Sequence, residues 1–277
     1  MLEALVSENE PPDQLPNRVG LYNVVWAGTA AVGYAAGGCM FERLGRDSLY
    51  WLPLAIHSGQ FLSTWFLERR HRRSIGTTRS AARTEPPVAH ERRDSHFQRL
   101  AWLANPFNYM AINTVAAMAP GLASRMGLGL AEAGVVFSVW FHVRALAFLK
   151  LWLWPGWHYR FSWYIGAFGL LLTSFVVLVM ARQLPMVLAA QVGLGWASAL
   201  LYYSSLYYAM DGSSAPSEHG GIHEALIGVG ICGGPALCAL AQSVTGSALA
   251  PAWVITGALA CGMGGAVHIH RSGRRSR

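Results

Sequence analysis

Residues 161–181, FSWYIGAFGLLLTSFVVLVMA, carry no charged side chain between Arg160 and Arg182. A helix of about 20 apolar residues crosses a hydrocarbon core of about 30 Å, so this stretch predicts one membrane span. The stretch 133–152 is also apolar apart from Arg144 and Lys150. Five further stretches contain no charge: residues 19–41, 48–67, 100–124, 183–210 and 225–270. The chain is therefore expected to be an all-α, polytopic membrane protein.

The last of these stretches is too long for a single crossing. It has 46 residues and is interrupted by the turn-forming residues 245–247 and by Pro251, which predict two helices joined by a tight turn. Eight spans result. The composition agrees, because 53% hydrophobic residues, 13% charged residues and a mean hydropathy of +0.31 in 277 residues leave too little polar surface for a soluble domain.

Basic side chains are concentrated in two segments, which determine the expected orientation. Residues 68–99 hold nine Arg against four acidic residues, and residues 271–277 hold four Arg. The positive-inside rule places both in the cytoplasm, and counting eight spans puts both termini there. The net charge of +7 does not indicate nucleic-acid binding, because the basic residues lie in a loop and a tail. We expect a protein of the inner membrane whose surroundings are the lipid bilayer.

Neither a metal nor a cofactor is expected. The four cysteines lie within apolar spans, where buried Cys usually acts as a small packing residue. The pair His223-Glu224 lacks a second His four residues after the first, so it does not match a zinc-hydrolase motif. With no recognisable constellation of nucleophile, base or metal ligands, the chain is not expected to be an enzyme. The four cysteines are Cys39, Cys232, Cys238 and Cys261.

An internal similarity relates the first and seventh spans. Gly20 and Gly221 each open a span, and Gly33 and Gly234 lie at the same separation of 201 positions. Small residues follow in both spans, and they allow helix backbones to approach closely within a membrane. Helix packing is therefore expected at Gly33, Gly37, Gly38, Gly234 and Pro235.

With its two related spans, its basic central segment and its cytoplasmic termini, the chain resembles the major facilitator superfamily. Members have two six-span bundles, and a Gly-rich element ending Gly-Pro-x-x-Gly-Gly often occupies the fifth span. Residues 33–38, GYAAGG, have the glycines of that element but Tyr34 in place of its proline. The resemblance implies spans five to twelve of the family, with the first four spans absent from a truncated chain.

The resemblance also implies a division of the chain into five parts. They are an acidic cytoplasmic segment 1–18, two helices of the first bundle in 19–67, a basic linker 68–99, a complete six-helix second bundle in 100–270 and a basic tail 271–277.

Ionisable residues near the membrane midplane are candidates for solute binding or ion coupling. Arg144 lies near the middle of its span, where it is expected either to line a cavity and bind an anionic group or to pair with a carboxylate of another helix. Glu224, with His223, opens the seventh span. Glu224 is expected either to cap that helix in its first turn or to take part in proton coupling.

Polar residues form a stripe on the third span. Asn105, Tyr109 and Asn113 recur every four residues and share one helix face, with Asn108 adjacent. This stripe is expected to line a cavity or to hydrogen-bond between helices, and Asn23 of the first span has a similar expected role. Trp and Tyr residues near the ends of three spans are expected to form mostly an interfacial belt. They are Tyr202, Tyr203, Tyr207, Tyr208, Trp152, Trp154, Trp157 and Trp163.

The expected function is secondary transport of a small solute by alternating access, with proton coupling as an option that the sequence leaves open. Two rocking bundles are needed for that mechanism. The alternative is a membrane assembly or binding protein that does not transport, or a half-transporter that needs a partner chain to supply helices.

Overall fold

The computed structural model describes residues 14–75, 95–210 and 216–275, and the part that it describes is all-helical and contains no strand. The expected all-α fold class is thereby confirmed. Residues 1–13 of the acidic segment, 76–94 of the basic linker and 276–277 of the tail lie outside the described residues. The helices are α1 (Leu15–Leu44), α2 (Ser48–Ile75), α3 (Ser95–Arg125), α4 (Leu130–Phe137), α5 (Val139–Leu153), α6 (Phe161–Met180), α7 (Leu184–Met210), α8 (Pro216–Thr245) and α9 (Ala250–Arg275).

Every expected span coincides with a helix, and one of them is broken. The span 133–152 divides into α4 and α5 at Ser138, whose hydroxyl donates to the carbonyl of Val135 at 2.7 Å. Such a bond to the preceding turn slightly destabilises and often bends a helix, although the equivalent bond from Ser204 to Leu201 leaves α7 unbroken.

Six helical stretches are long and apolar enough to cross a membrane, so the chain is a multi-pass membrane protein by the length and composition of its helices. Polar residues within α2 and α3 keep these two helices out of that set, and a total of eight crossings stays a prediction. The six stretches are Leu15–Leu44, Leu130–Leu153, Phe161–Met180, Leu184–Met210, His219–Thr245 and Ala250–Gly273.

Two carboxylates accept hydrogen bonds at the junction between α1, α3 and α4. The turn after α3 contains Gly127 with φ of +67°, a left-handed conformation that suits glycine. Glu132 then accepts from the Gly129 amide at 3.0 Å, and Glu42 at the end of α1 accepts from the Ala131 amide at 2.9 Å. Carboxylates at a helix N-terminus are stabilised by its free amides and dipole. The end of α1 is thus tied to the beginning of α4.

The core of the bundle lies around α7, whose residues 197–210 are all buried. Helix α3 packs along α8, and α1 packs along α4 and α5. Glycine makes these approaches close, because a Cβ at Gly234 would lie 2.6 Å from the carbonyl oxygen of Met110 and a Cβ at Gly38 would overlap the carbonyl of Leu130. By contrast, a Cβ at Gly33 or Gly37 would meet no atom within 4 Å. These two glycines therefore lie outside the close helix contacts that the sequence analysis assigned to them.

Helix α2 is set apart from the bundle. Within residues 48–70, every side chain is exposed except those of Ser48 and Leu52, which are half-buried. The exposed set includes polar groups at mid-helix, where His57 Nδ1 lies 2.9 Å from Gln60 Oε1. The sequence analysis placed both helices of residues 19–67 in one bundle. Of these two, only α1 packs extensively against the other helices.

Candidate functional site

Arg144 lies in the middle of the buried face of α5. Its side chain is 1% exposed, and the same face carries Trp140, Ala147, Phe148 and Leu151. At 1.5 Å per residue, the nine residues from Arg144 to the end of α5 correspond to about 14 Å. This depth places the guanidinium well inside the bundle.

Four aromatic rings surround the Arg144 guanidinium, each contributed by a different helix. Its carbon lies 4.7 Å from the centre of the Trp26 ring, 4.9 Å from Tyr202, 5.2 Å from Phe148 and 5.8 Å from Tyr109. We call Arg144 and these rings the Arg144 cage. Trp26 belongs to α1, Tyr109 to α3, Phe148 to α5 and Tyr202 to α7.

The positive charge of Arg144 has no counter-ion in the described part of the chain. One Nη donates to the Tyr109 hydroxyl at 3.5 Å, a long hydrogen bond, and no acceptor among the described residues faces Nε. Burial of an ion in a low-dielectric interior costs several kcal/mol, whereas a cation–π contact returns about 0.5–2 kcal/mol. The cage therefore holds a guanidinium whose charge is only partly compensated. The alternative expectation, a structural ion pair, finds no carboxylate there among the described residues.

Buried amides lie on the two helices that contribute Trp26 and Tyr109. Asn23 is three residues before Trp26 and shares its face of α1, whereas Asn108 directly precedes Tyr109 and points about 100° away from it around α3. Both side chains are fully buried, and neither their nitrogens nor their oxygens have a partner in the described part of the structure. Most buried polar groups in folded proteins are hydrogen-bonded. These amides therefore have unused capacity for a ligand or for water.

His223 connects α8 to the cage. Its ring centre is 5.3 Å from that of Tyr202, and its Nδ1 lies 2.9 Å from Ser205 Oγ and 3.4 Å from Asn105 Nδ2. His223 is fully buried. Asn105 keeps its carbonyl oxygen without a described partner. The polar stripe of α3 thus meets α8 at Asn105 and α5 at Tyr109.

Two of the candidate residues lie away from the cage. Glu224 is exposed, and the expected capping role is wrong because α8 begins at Pro216, more than two turns earlier. Asn113 is half-buried and donates its side-chain amide to the Tyr109 carbonyl at 2.9 Å. Neither residue contributes to the surroundings of the guanidinium.

Aromatic residues pack closely at the end of the bundle that the sequence analysis expected to face the cytoplasm. Trp157 and Tyr203 are each 1% exposed, with ring centres 5.2 Å apart, and the Tyr208 hydroxyl accepts from the Tyr159 amide at 2.8 Å. The expected interfacial belt is therefore wrong for Trp157 and for the tyrosines of α7, which are packed inside. Trp154 and Trp163, at 38% and 44% exposed, have the exposure of belt residues.

A cavity of about 670 Å³ lies on the opposite side of the cage, between α1, α3 and α4. Its lining is mostly apolar and includes Tyr34, Ala119 and Phe137. The deepest lining residue on α5 is Trp140, one helical turn before Arg144. Arg144 itself does not line this cavity.

No known family model matches the chain, and no curated protein matches it. The functional interpretation therefore depends on the residues and their geometry. The sequence indicated Arg144, Tyr109 and Asn105, but it did not indicate Phe148 and Tyr202 as walls of the cage. Phe148 had a readable signal, because it lies four residues after Arg144 on the same helix face.

Proposed function

We propose that the chain is a secondary transporter of the major facilitator type, which binds a small solute at the Arg144 cage and moves it across the inner membrane by alternating access. The observation that carries this proposal is the buried guanidinium without a carboxylate partner among the described residues. An ionisable side chain deep in a membrane bundle is costly and usually marks a solute or ion path. The buried amides of Asn23 and Asn108, which have no hydrogen-bond partner among the described residues, support the same proposal.

The difference in packing between the two ends of the bundle also supports a transport function. The aromatic packing at Trp157 and Tyr203 separates the cage from one side, while the cavity between α1, α3 and α4 approaches it from the other. A solute site that is open to one side at a time is the requirement of alternating access. In this proposal the conformation described is closed on the cytoplasmic side.

The test is solute flux in proteoliposomes. The full chain would be reconstituted, and counterflow of radiolabelled organic acids, amino acids and sugars would be measured for the unaltered chain, Arg144→Gln and Arg182→Gln. Arg182 is an exposed residue after α6, and it provides the matched control. We expect flux of at least one solute that Arg144→Gln abolishes and Arg182→Gln retains. Equal flux in both variants would remove Arg144 from the site, and no flux above empty liposomes would contradict transport.

Proton coupling is assigned in this proposal to His223 rather than to Glu224. His223 is buried against Tyr202 of the cage, whereas Glu224 is exposed. An imposed pH gradient should therefore drive solute accumulation in Glu224→Gln but not in His223→Gln. Accumulation that persists in His223→Gln would contradict this assignment.

A second candidate function, assembly with a partner chain, is favoured by α2. Its mid-helix groups His57 and Gln60 are exposed, and polar side chains in a membrane are usually covered by protein or water. Native mass spectrometry of the chain extracted from its own membrane in nanodiscs would test this candidate. A complex containing a second, different chain would favour assembly, and a monomer that carries out solute flux would exclude the need for a partner.

A further inference from the structure

We propose that the solute of the Arg144 cage is a small monocarboxylate, whose carboxylate pairs with the guanidinium and whose other polar atoms meet the buried amides of Asn23, Asn105 and Asn108. This inference deepens the proposed function and rests on it to the extent that the bound ligand is the transported solute.

The charge of the cage favours a ligand with a single negative charge. Arg144 carries one permanent positive charge, since a guanidinium stays protonated in proteins. The other basic side chains of the same helix, His142 and Lys150, are both exposed. A monoanion would neutralise the cage, whereas a neutral solute would leave the buried cation uncompensated and a dianion would leave an excess negative charge. Because an uncompensated charge in a dry interior costs several kcal/mol, the monoanion is the favoured charge state.

The geometry around the guanidinium favours a ligand with a planar hydrogen-bond acceptor group. Four rings lie 4.7–5.8 Å from its carbon and one Nη bonds to Tyr109, while Nε has no acceptor among the described residues. The Nε–H and an adjacent Nη–H form one edge of the guanidinium fork, which matches the two oxygens of a carboxylate. A carboxylate at this edge would accept two parallel N–H bonds. Because Arg144 is 1% exposed, its entry requires the surrounding side chains to move.

The other residues around the cage indicate the chemistry of the rest of the solute. Trp26, Phe148 and Tyr202 present apolar ring surface. The buried amides of Asn23 on α1 and Asn108 on α3 have no hydrogen-bond partner among the described residues. Small-molecule sites typically combine such apolar walls with a few polar groups that fix orientation. The solute is accordingly a compact organic acid with an apolar or aromatic part and at least one further polar atom.

The test measures binding in the absence of transport. The purified full chain in nanodiscs would be titrated with sodium acetate, benzoate, lactate, succinate and phosphate at constant ionic strength, and thermal unfolding would be followed by intrinsic fluorescence. We expect a saturable rise in melting temperature with at least one of the three monocarboxylates at a lower concentration than with succinate or phosphate. Truncation of one partner of a buried charge pair costs at least about 2 kcal/mol, so Arg144→Gln should weaken this binding at least about 30-fold.

Two further variants make the result decisive. Arg182→Gln should bind like the unaltered chain. Arg144→Lys keeps the charge without the planar fork, so it should retain binding with reduced affinity even if Arg144→Gln fails to fold. Preferred binding of succinate or phosphate would overturn the choice of a monocarboxylate. Equal anion effects in all variants, or no effect of any monocarboxylate, would overturn the anion site.

Binding and flux also separate the two proposals. Arg144-dependent monocarboxylate binding without flux in proteoliposomes would support the ligand class and contradict transport. Flux of a neutral solute without anion binding would support transport and overturn the ligand class.

Discussion

Arg144→Met should raise the stability of the ligand-free protein. Methionine occupies a similar elongated volume, and its flexible side chain can fill the space among the cage rings. The substitution removes a buried cation that has no ion-pair partner among the described residues. Solute binding is expected to be lost at the same time. Stability and binding should therefore change in opposite directions at this one position.

The magnitude follows from the contacts of the guanidinium. Its burial costs several kcal/mol, and the rings of Trp26 and Tyr202, at 4.7 and 4.9 Å, are its closest aromatic contacts. A cation–π contact contributes about 0.5–2 kcal/mol, and because the rings share one cation their contributions do not simply add. The hydrogen bond to Tyr109, at 3.5 Å, contributes less than the usual value of about 1 kcal/mol. We therefore expect Arg144→Met to raise the free energy of unfolding by about 1–3 kcal/mol.

The assay is reversible unfolding in mixed micelles with increasing sodium dodecyl sulfate, followed by tryptophan fluorescence. Arg182→Met is the control, and as an exposed substitution it should change the free energy of unfolding by less than about 0.5 kcal/mol. If Arg144 instead belonged to a structural ion pair, its removal would leave a buried carboxylate and destabilise the protein by about 3–5 kcal/mol. A loss of that size would refute the interpretation of the cage as a binding site.

Two further predictions concern helix packing and pH. Gly234→Ala should destabilise the protein by about 1–3 kcal/mol, because its Cβ would lie 2.6 Å from a backbone oxygen of α3. Gly33→Ala, whose Cβ would meet no atom within 4 Å, should be neutral or stabilise the protein by up to about 1 kcal/mol. The same unfolding assay compares the two variants, and equal changes in the free energy of unfolding would contradict the packing of α8 against α3. The pKa of His96, at the start of α3 beyond the expected span, is lowered by partial burial and by the positive charge of Arg99. The unfolded chain thus binds more protons than the folded chain below the ordinary histidine pKa of about 6.5, so the melting temperature should fall as the pH drops from 7.5 to 5.5. His96→Gln should reduce this slope and the exposed control His268→Gln should not; an unchanged slope in His96→Gln would contradict the assignment.

The helical architecture was readable from the sequence because charge is excluded from apolar spans. The sequence missed two helix boundaries. Ser138 is compatible with a helix interior in composition, and its hydroxyl bonds to Val135 as that of Ser204 bonds to Leu201 within the unbroken α7, so neither feature marks the position where the span divides. The sequence analysis placed the start of the seventh span at Gly221, whereas α8 extends back to Pro216, since proline is favoured in the first turn.

The candidate site was readable only in part. The cost of a buried charge made Arg144 conspicuous in the sequence, and the four-residue spacing joined Asn105 to Tyr109. The rings of Trp26 and Tyr202 converge on Arg144 from α1 and α7. That convergence depends on how the helices pack, which no local pattern encodes. Tyr202 was assigned to an interfacial belt because tyrosine near a helix end is usually interfacial.

The internal similarity between α1 and α8 also has unequal structural consequences. Gly38 of α1 packs against α4, and Gly234 of α8 packs against α3, but a Cβ added at Gly33, the counterpart of Gly234, would meet no atom of another helix within 4 Å. Equivalent positions thus differ in the helices that cover them. Gly33 and Gly37 face the space between α1 and α2, which Leu52 and Pro53 of α2 also line. The face of α1 that corresponds to the α3 contact of α8 is therefore turned toward α2 across a gap. Gly33→Leu would place a side chain in that gap and change the spacing between α1 and α2, while leaving the packing between α3 and α8 intact.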